Sequence, residues 1–236
     1  MTKVIPIFRR EIFAYFFSPV AYIVISVFLL ITGWIFTSEM FLANDSSLRS
    51  VFSFIPFIFL FFVPAITMRL LSEERKSGTI ELLFTMPISD IEIVLGKYLA
   101  GLGLLITALV FTIPYALTII ILGDPDIGML VTGYLGLVLM GASYIAVGTF
   151  ASTISGNQVV SFIIAFLIIF VLWLIDKFLM LVPPVLVPFF QYLSIDYHYS
   201  NINRGVIDSR DIVYYLSLIV FMLSLAKLSL ESRKWS

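Results

Sequence analysis

The chain has 236 residues and a net charge of −1; 61% of its residues are hydrophobic, 16% aromatic and only 12% charged, with a mean hydropathy of +1.09. So few charges cannot cover the surface of a soluble domain this long, which makes lipid its main solvent. The charge balance argues against a nucleic-acid surface, the absence of cysteine excludes disulfides and thiolate chemistry, and a single histidine argues against a zinc centre.

Lys3, Arg9 and Arg10 precede the first apolar run, which is too long for the core of a signal peptide and lacks a small-residue cleavage site, so it is retained. Residues 1–17 read as an amphipathic interfacial helix with Ile5, Phe8, Ile12 and Phe16 on one face and Lys3 and Arg10 on another, turning at Ser18-Pro19. A span needs about 20 mostly apolar residues. Six runs qualify: 19–38, 51–68, 93–122, 129–154, 159–182 and 212–230. The second carries Pro56, Pro64 and six phenylalanines, of which Phe54, Phe57 and Phe61 form a candidate lining for a hydrophobic substrate path. The competing reading of those rings is ordinary lipid-facing and packing surface.

Ser89 with Glu92 is a capping box that opens the third run, at whose foot Lys97 snorkels to the interface. The fourth has Gly128, Thr132 and Gly136 four apart, then Gly141 and Gly148, a pattern for close helix packing. Beyond the fifth, Pro183, Pro184 and Pro188 break 178–193 into short pieces within an outer loop, 183–211. His198 reads as an exposed loop residue or a sensing group, near a motif containing Arg204, Gly205 and Asp208. The expected fold is thus a single all-α polytopic membrane domain over 1–236, with six spans.

Six spans put both termini on one side. With the N-terminus inside, ten Lys/Arg fall in cytoplasmic segments and four outside. No charge sits near the middle of any span, which argues against ion-coupled transport and intramembrane proteolysis. The polar segment SEERKSGTIELLFTMPIS, residues 72–89, therefore faces the cytoplasm. Gly78 lets the chain bend, Thr79 starts a short helix bearing Ile80, Leu83 and Phe84 on one side, and Pro87 ends it. Such a helix suits docking on a soluble protein.

The order of interfacial helix, two spans, E-E-R-x-S-G-T-x-E-x-L-L-x-T-x-P-[IV]-S and four more spans resembles type-2 ABC exporter permeases. Arg204-Gly205-Val206-Ile207-Asp208 followed by Asp211 is similar to the subgroup of gliding-motility-associated and nitrous-oxide-reductase-maturation permeases. The resemblance implies that 72–89 is a coupling helix entering a separate ABC-type ATPase. Its interface would comprise Glu73, Glu74, Arg75, Lys76, Ser77, Gly78, Thr79, Ile80, Glu81, Leu83, Phe84 and Pro87. It further implies a second permease copy or paralogue, a cytoplasmic (inner) membrane location, and ATP and Mg bound by the partner rather than by this chain. Gly96-Lys97 is followed by Tyr98, and residue 91 is Ile, so no Walker motif is present and the chain is not itself an enzyme. The alternative is a non-transporting membrane scaffold that holds a cytoplasmic partner with the same segment.

Overall fold

The apolar runs become helices, and side-chain caps open those that begin at Pro19, Ile127, Gln158, Ile195 and Ser209. A computed structural model describes residues 3–42, 47–85, 87–123 and 125–232, the side chains of 41–42 and 82–84 excepted. Among the described residues every regular element is helical. Helix α1 (Val4–Phe17) ends at Ser18, whose hydroxyl accepts from the Val20 N–H and so opens α2 (Pro19–Thr37). A π turn, Ser38–Leu42, extends α2. Helix α3 (Arg49–Thr67) carries Pro56 and Pro64 in its interior, both buried against neighbours. Two short helices follow, α4 (Ser72–Lys76) and α5 (Ile80–Thr85). The later elements are α6 (Asp90–Val110), α7 (Ile113–Leu122), α8 (Ile127–Ile154), α9 (Gln158–Lys177), α10 (Val187–Leu193), α11 (Ile195–Asn203) and α12 (Ser209–Glu231).

Among the described residues six segments are long and apolar enough to cross a membrane: Pro19–Met40, Arg49–Lys76, Asp90–Leu122, Ile127–Ile154, Gln158–Lys177 and Ser209–Glu231. All six expected spans are present, but their limits differ in instructive ways. The fifth stops at Lys177 rather than 182, because the chain tightens into a short 3-10 turn, Leu179–Leu181, ahead of Pro183 and Pro184. The third begins at Asp90 and is two helices: Pro114 has no N–H to give, and the ladder breaks at Phe111–Thr112. Thr112 fills the break, its hydroxyl 2.6 Å from the Leu109 carbonyl and 3.1 Å from the Tyr134 hydroxyl.

Helix α8 is the centre of the bundle, packed by α12, α9, α3, α6 and α11. Small residues make these approaches possible. A Cβ on Gly133 would meet Phe52 at 2.4 Å, one on Gly141 would meet Leu105 at 2.5 Å, and one on Gly148 would meet Thr67 at 2.0 Å. Gly136 instead seats Tyr199 and Ile202 of α11. Gly128 is exposed and packs no neighbouring helix, so the packing stripe runs through Gly133 and not through Gly128.

Helix α1 packs chiefly on α6, with further contact to α2. Its buried face is Ile7 and Tyr15, flanked by Phe8, Glu11, Ile12 and Phe16, while Ile5, Phe13 and Phe17 are exposed. The apolar face is therefore wider than the expected stripe, and Ile5 lies outside its packed part. Gly96 and Gly103 of α6 seat Ile7 and Ile12 respectively, at 2.6 and 3.1 Å from where a Cβ would stand. The Tyr15 phenol donates to the Ile66 carbonyl of α3 at 2.7 Å, and burial pushes its pKa up, so it remains a neutral donor.

Candidate functional site

Helices α4 and α5 form a hairpin-like projection between α3 and α6. Its bend is at Gly78, with φ +73, a left-handed conformation that a side chain resists. Ser77 closes α4: its hydroxyl donates to the Glu73 carbonyl at 2.9 Å and lies 2.9 Å from the Thr79 hydroxyl, which reaches the Glu74 carbonyl at 3.3 Å. On the far side, the Glu92 carboxylate accepts from the Ser89 N–H at 3.0 Å and from its hydroxyl at 2.9 Å, so the expected capping pair forms.

The residues expected at the docking interface divide into two groups. Lys76, Ser77, Gly78, Thr79, Glu81 and Pro87 are exposed. Glu73, Glu74 and Arg75 are half-buried and engaged within the chain. Glu73 is held by Arg69 at 2.8 Å, which also reaches the Ser18 hydroxyl at 3.2 Å. Arg75 donates to the Thr153 carbonyl of α8. The Ser152 hydroxyl, also on α8, accepts from the Leu71 and Ser72 N–H groups at 2.8 and 3.1 Å. Ile80 is half-buried and packs toward the core of the bundle. The side chains of Leu83 and Phe84 lie outside the described residues.

Glu74 enters a buried charge cluster. Lys97 Nζ of α6 is 3.0 Å from Glu74 Oε1 and 3.1 Å from Glu11 Oε1, and Arg10 Nη2 is 2.9 and 2.7 Å from the same two oxygens. Lys97 does not snorkel; it is 1% exposed. The sequence reading missed Lys97, Arg10 and Glu11 as partners of Glu74. The available signal was a lone lysine directly after Gly96, with a lone acid in an otherwise basic N-terminal helix.

A second structural site lies at the opposite end of the bundle. His198 is not a loop residue: it sits on α11, 1% exposed, with Nδ1 2.6 Å from Asp211 Oδ1 of α12 and Nε2 3.1 Å from the Tyr192 carbonyl. A carbonyl only accepts, so Nε2 carries a proton. The ring stacks on Tyr214 at 4.0 Å between centroids. Tyr199 donates to the Phe52 carbonyl of α3 at 2.8 Å and Tyr215 to the Ile195 carbonyl at 3.0 Å, bolting α11 in place. Gly205 bends the chain with φ +90, and the Asp208 carboxylate caps α12 by accepting from the Arg210 N–H at 2.9 Å. Arg204 is exposed. Asp211→Ala would strand the buried imidazole and is expected to cost about 3 kcal/mol. That should lower the unfolding temperature in detergent, whereas Arg204→Ala should leave it unchanged; equal effects would contradict the pairing.

Phe54, Phe57 and Phe61 are partly exposed and line an apolar groove of about 490 Å³ between α2, α3 and α9, together with Phe28, Ile31 and Phe162. Among the described residues only apolar side chains line it.

Six apolar spans among the described residues, with α8 central among them and a polar projection between the second and third, define a multi-pass membrane protein. A family model described as "ABC-2 family transporter protein" matches residues 35–229, and the chain belongs to that family. It is thus a permease subunit of an ABC transporter, a class that in general pairs with an ABC-type ATPase. No curated protein matches the chain.

Proposed function

We propose that this permease works as half of an exporter-type machine, coupling ATP hydrolysis by a separate ATPase to movement of a hydrophobic substrate, or of force, across the cytoplasmic membrane. The observation that carries this reading is the α4–α5 projection, whose crest at 76–81, exposed at every residue but Ile80, stands on an anchored base at 71–75. The crest docks on the ATPase, which holds ATP and Mg; the base passes the displacement into α8 and α6. The exposed phenylalanines of the groove form the substrate path, facing a second permease copy or a paralogue across the lipid. Within the family, the outer segment from Arg204 to Asp211 favours the gliding-motility and nitrous-oxide-reductase-maturation subgroup.

The decisive experiment is co-purification with an ABC-type ATPase whose turnover depends on this chain. An ATPase that binds but turns over at the same rate without the chain would favour the scaffold reading instead. Topology gives an independent test. Ser77 and Ser209 are both exposed and the chain has no native cysteine, so Ser77→Cys should be labelled from the cytoplasm and Ser209→Cys from outside. Labelling of both from one side would overturn the cytoplasmic placement of both termini.

A further inference from the structure

The charge cluster at the foot of α6 contains more than docking requires. Two cations and two carboxylates alternate around it: Arg10 and Glu11 from α1, Glu74 from α4 and Lys97 from α6. Arg10 closes the exposed side, and its hydrogen bond to Glu11 helps hold it charged. Lys97 forms the inner side, cut off from solvent. Burying an ammonium forfeits its hydration, and apolar residues of similar volume hold helices together as well or better. Packing alone therefore does not account for a lysine here. What an ion pair adds over an apolar contact is one defined register between the elements it joins.

Those elements have distinct loads. Helix α1 lies directly on α6, because Gly96, the neighbour of Lys97, admits Ile7 where a Cβ would collide at 2.6 Å. Helices α1 and α6 thus form one packed pair, to which Lys97 and Arg10 tie Glu74. On its other side α4 is tied to α8 through Arg75 and Ser152. Helix α4 stands between two bodies, with adjacent residues Glu74 and Arg75 reaching one each. The second carboxylate oxygen of Glu74, Oε2, is buried and has no hydrogen-bond partner among the described residues, so within them the Glu74 carboxylate is held through Oε1. Helix α1 also lies outside the residues 35–229 matched to the family.

We infer that Lys97 is a positioning residue for energy coupling: it holds Glu74 so that displacement of the docking crest is carried into α1 and α6. The inference rests on the proposed docking of α4–α5 onto an ATPase. Its removal should leave docking intact, because Lys97 is buried and the crest from Lys76 to Glu81 is not part of the cluster.

The test uses the full chain co-expressed with its ATPase and reconstituted in lipid nanodiscs. Lys97→Met, close in volume but uncharged, should bind the ATPase within about threefold of the native affinity. Its chain-dependent ATP hydrolysis should fall about tenfold, the order of a coupling free energy between two sites. Lys97→Arg keeps the charge and should restore most of that loss. Glu74→Gln should reproduce the Lys97→Met defect, and the double variant should be no worse than either single one, as expected when two residues act through each other. Glu74→Gln also decides the matter if Lys97→Met does not fold. Native hydrolysis in Lys97→Met or Glu74→Gln would overturn the inference, as would additive losses in the double variant. Loss of ATPase binding in these variants would overturn it too, making the cluster part of docking. Failure of the unmodified chain to bind or stimulate any ABC-type ATPase is a different result, and would remove the docking reading itself.

Discussion

Gly78→Pro is expected to abolish coupling to the ATPase while leaving the membrane bundle folded. At φ +73 the residue adopts a backbone conformation that proline, fixed near −65°, cannot reach. Proline also removes the N–H that donates to the Arg75 carbonyl at 3.3 Å. The turn between α4 and α5 must therefore rebuild, and the crest at 76–81 moves off its docking geometry. Nothing lies within 4 Å of a Cβ placed on Gly78, so the bundle itself feels little. Loss of a docking hot spot worth about 2 kcal/mol would weaken ATPase binding about thirtyfold. Affinity for the ATPase in nanodiscs and chain-dependent hydrolysis measure this, with thermal unfolding in detergent as the control. Leu83→Asp, on the backbone of α5, is expected to act in the same direction. Native coupling in both variants would remove the docking assignment.

Gly148→Val is expected to have the largest effect on stability. Its Cβ would stand 2.0 Å from Thr67 Oγ1 and 2.6 Å from Thr67 Cβ, in the tightest crossing of α8 and α3. Thr67 cannot turn away freely, because its hydroxyl donates to the Val63 carbonyl at 2.9 Å and the residue is fully buried. The two helices must separate, at a cost of about 3 kcal/mol or more. The measurement is monodisperse yield and unfolding temperature in detergent. Gly128→Ala, on the same helix but exposed, where a Cβ would meet only the Asp126 carboxylate at 3.1 Å and no neighbouring helix, should melt much closer to the native chain. Combining Gly148→Ala with Thr67→Gly should recover stability relative to Gly148→Ala alone, since it moves the small residue to the other helix. Native-like melting of Gly148→Val would contradict the close approach.

The two ends of the bundle differ in how much the sequence disclosed. The projection after α3 was legible because a polar run with glycine and proline between two apolar spans leaves few other structures open. The capping pair of Ser89 and Glu92 was legible because capping is local, three residues apart. His198 was misread because its partner is local to nothing: Asp211 stands thirteen positions away on another helix, and the burial of both depends on α11 folding back onto α8. The same holds for Glu73, Glu74 and Arg75. As a sequence they form a charged rim available to a partner; in the fold they are the anchors, and the turn beyond them, with Lys76 and Glu81 at its sides, is what remains exposed.

Composition and periodicity by themselves determined the solvent, the count of spans and the position of the polar projection between the second and third, because transfer of apolar residues into lipid depends on run length and not on neighbours. Tertiary structure alone decided which small residues carry the packing, that Tyr134 of α8 meets Thr112 at the break Pro114 makes in the third span, and that Lys97 is buried rather than extended to the interface. Those outcomes depend on distances between helices remote in the chain. An ion pair between Lys97 and Glu11, 86 positions apart, leaves no trace in the local pattern of either.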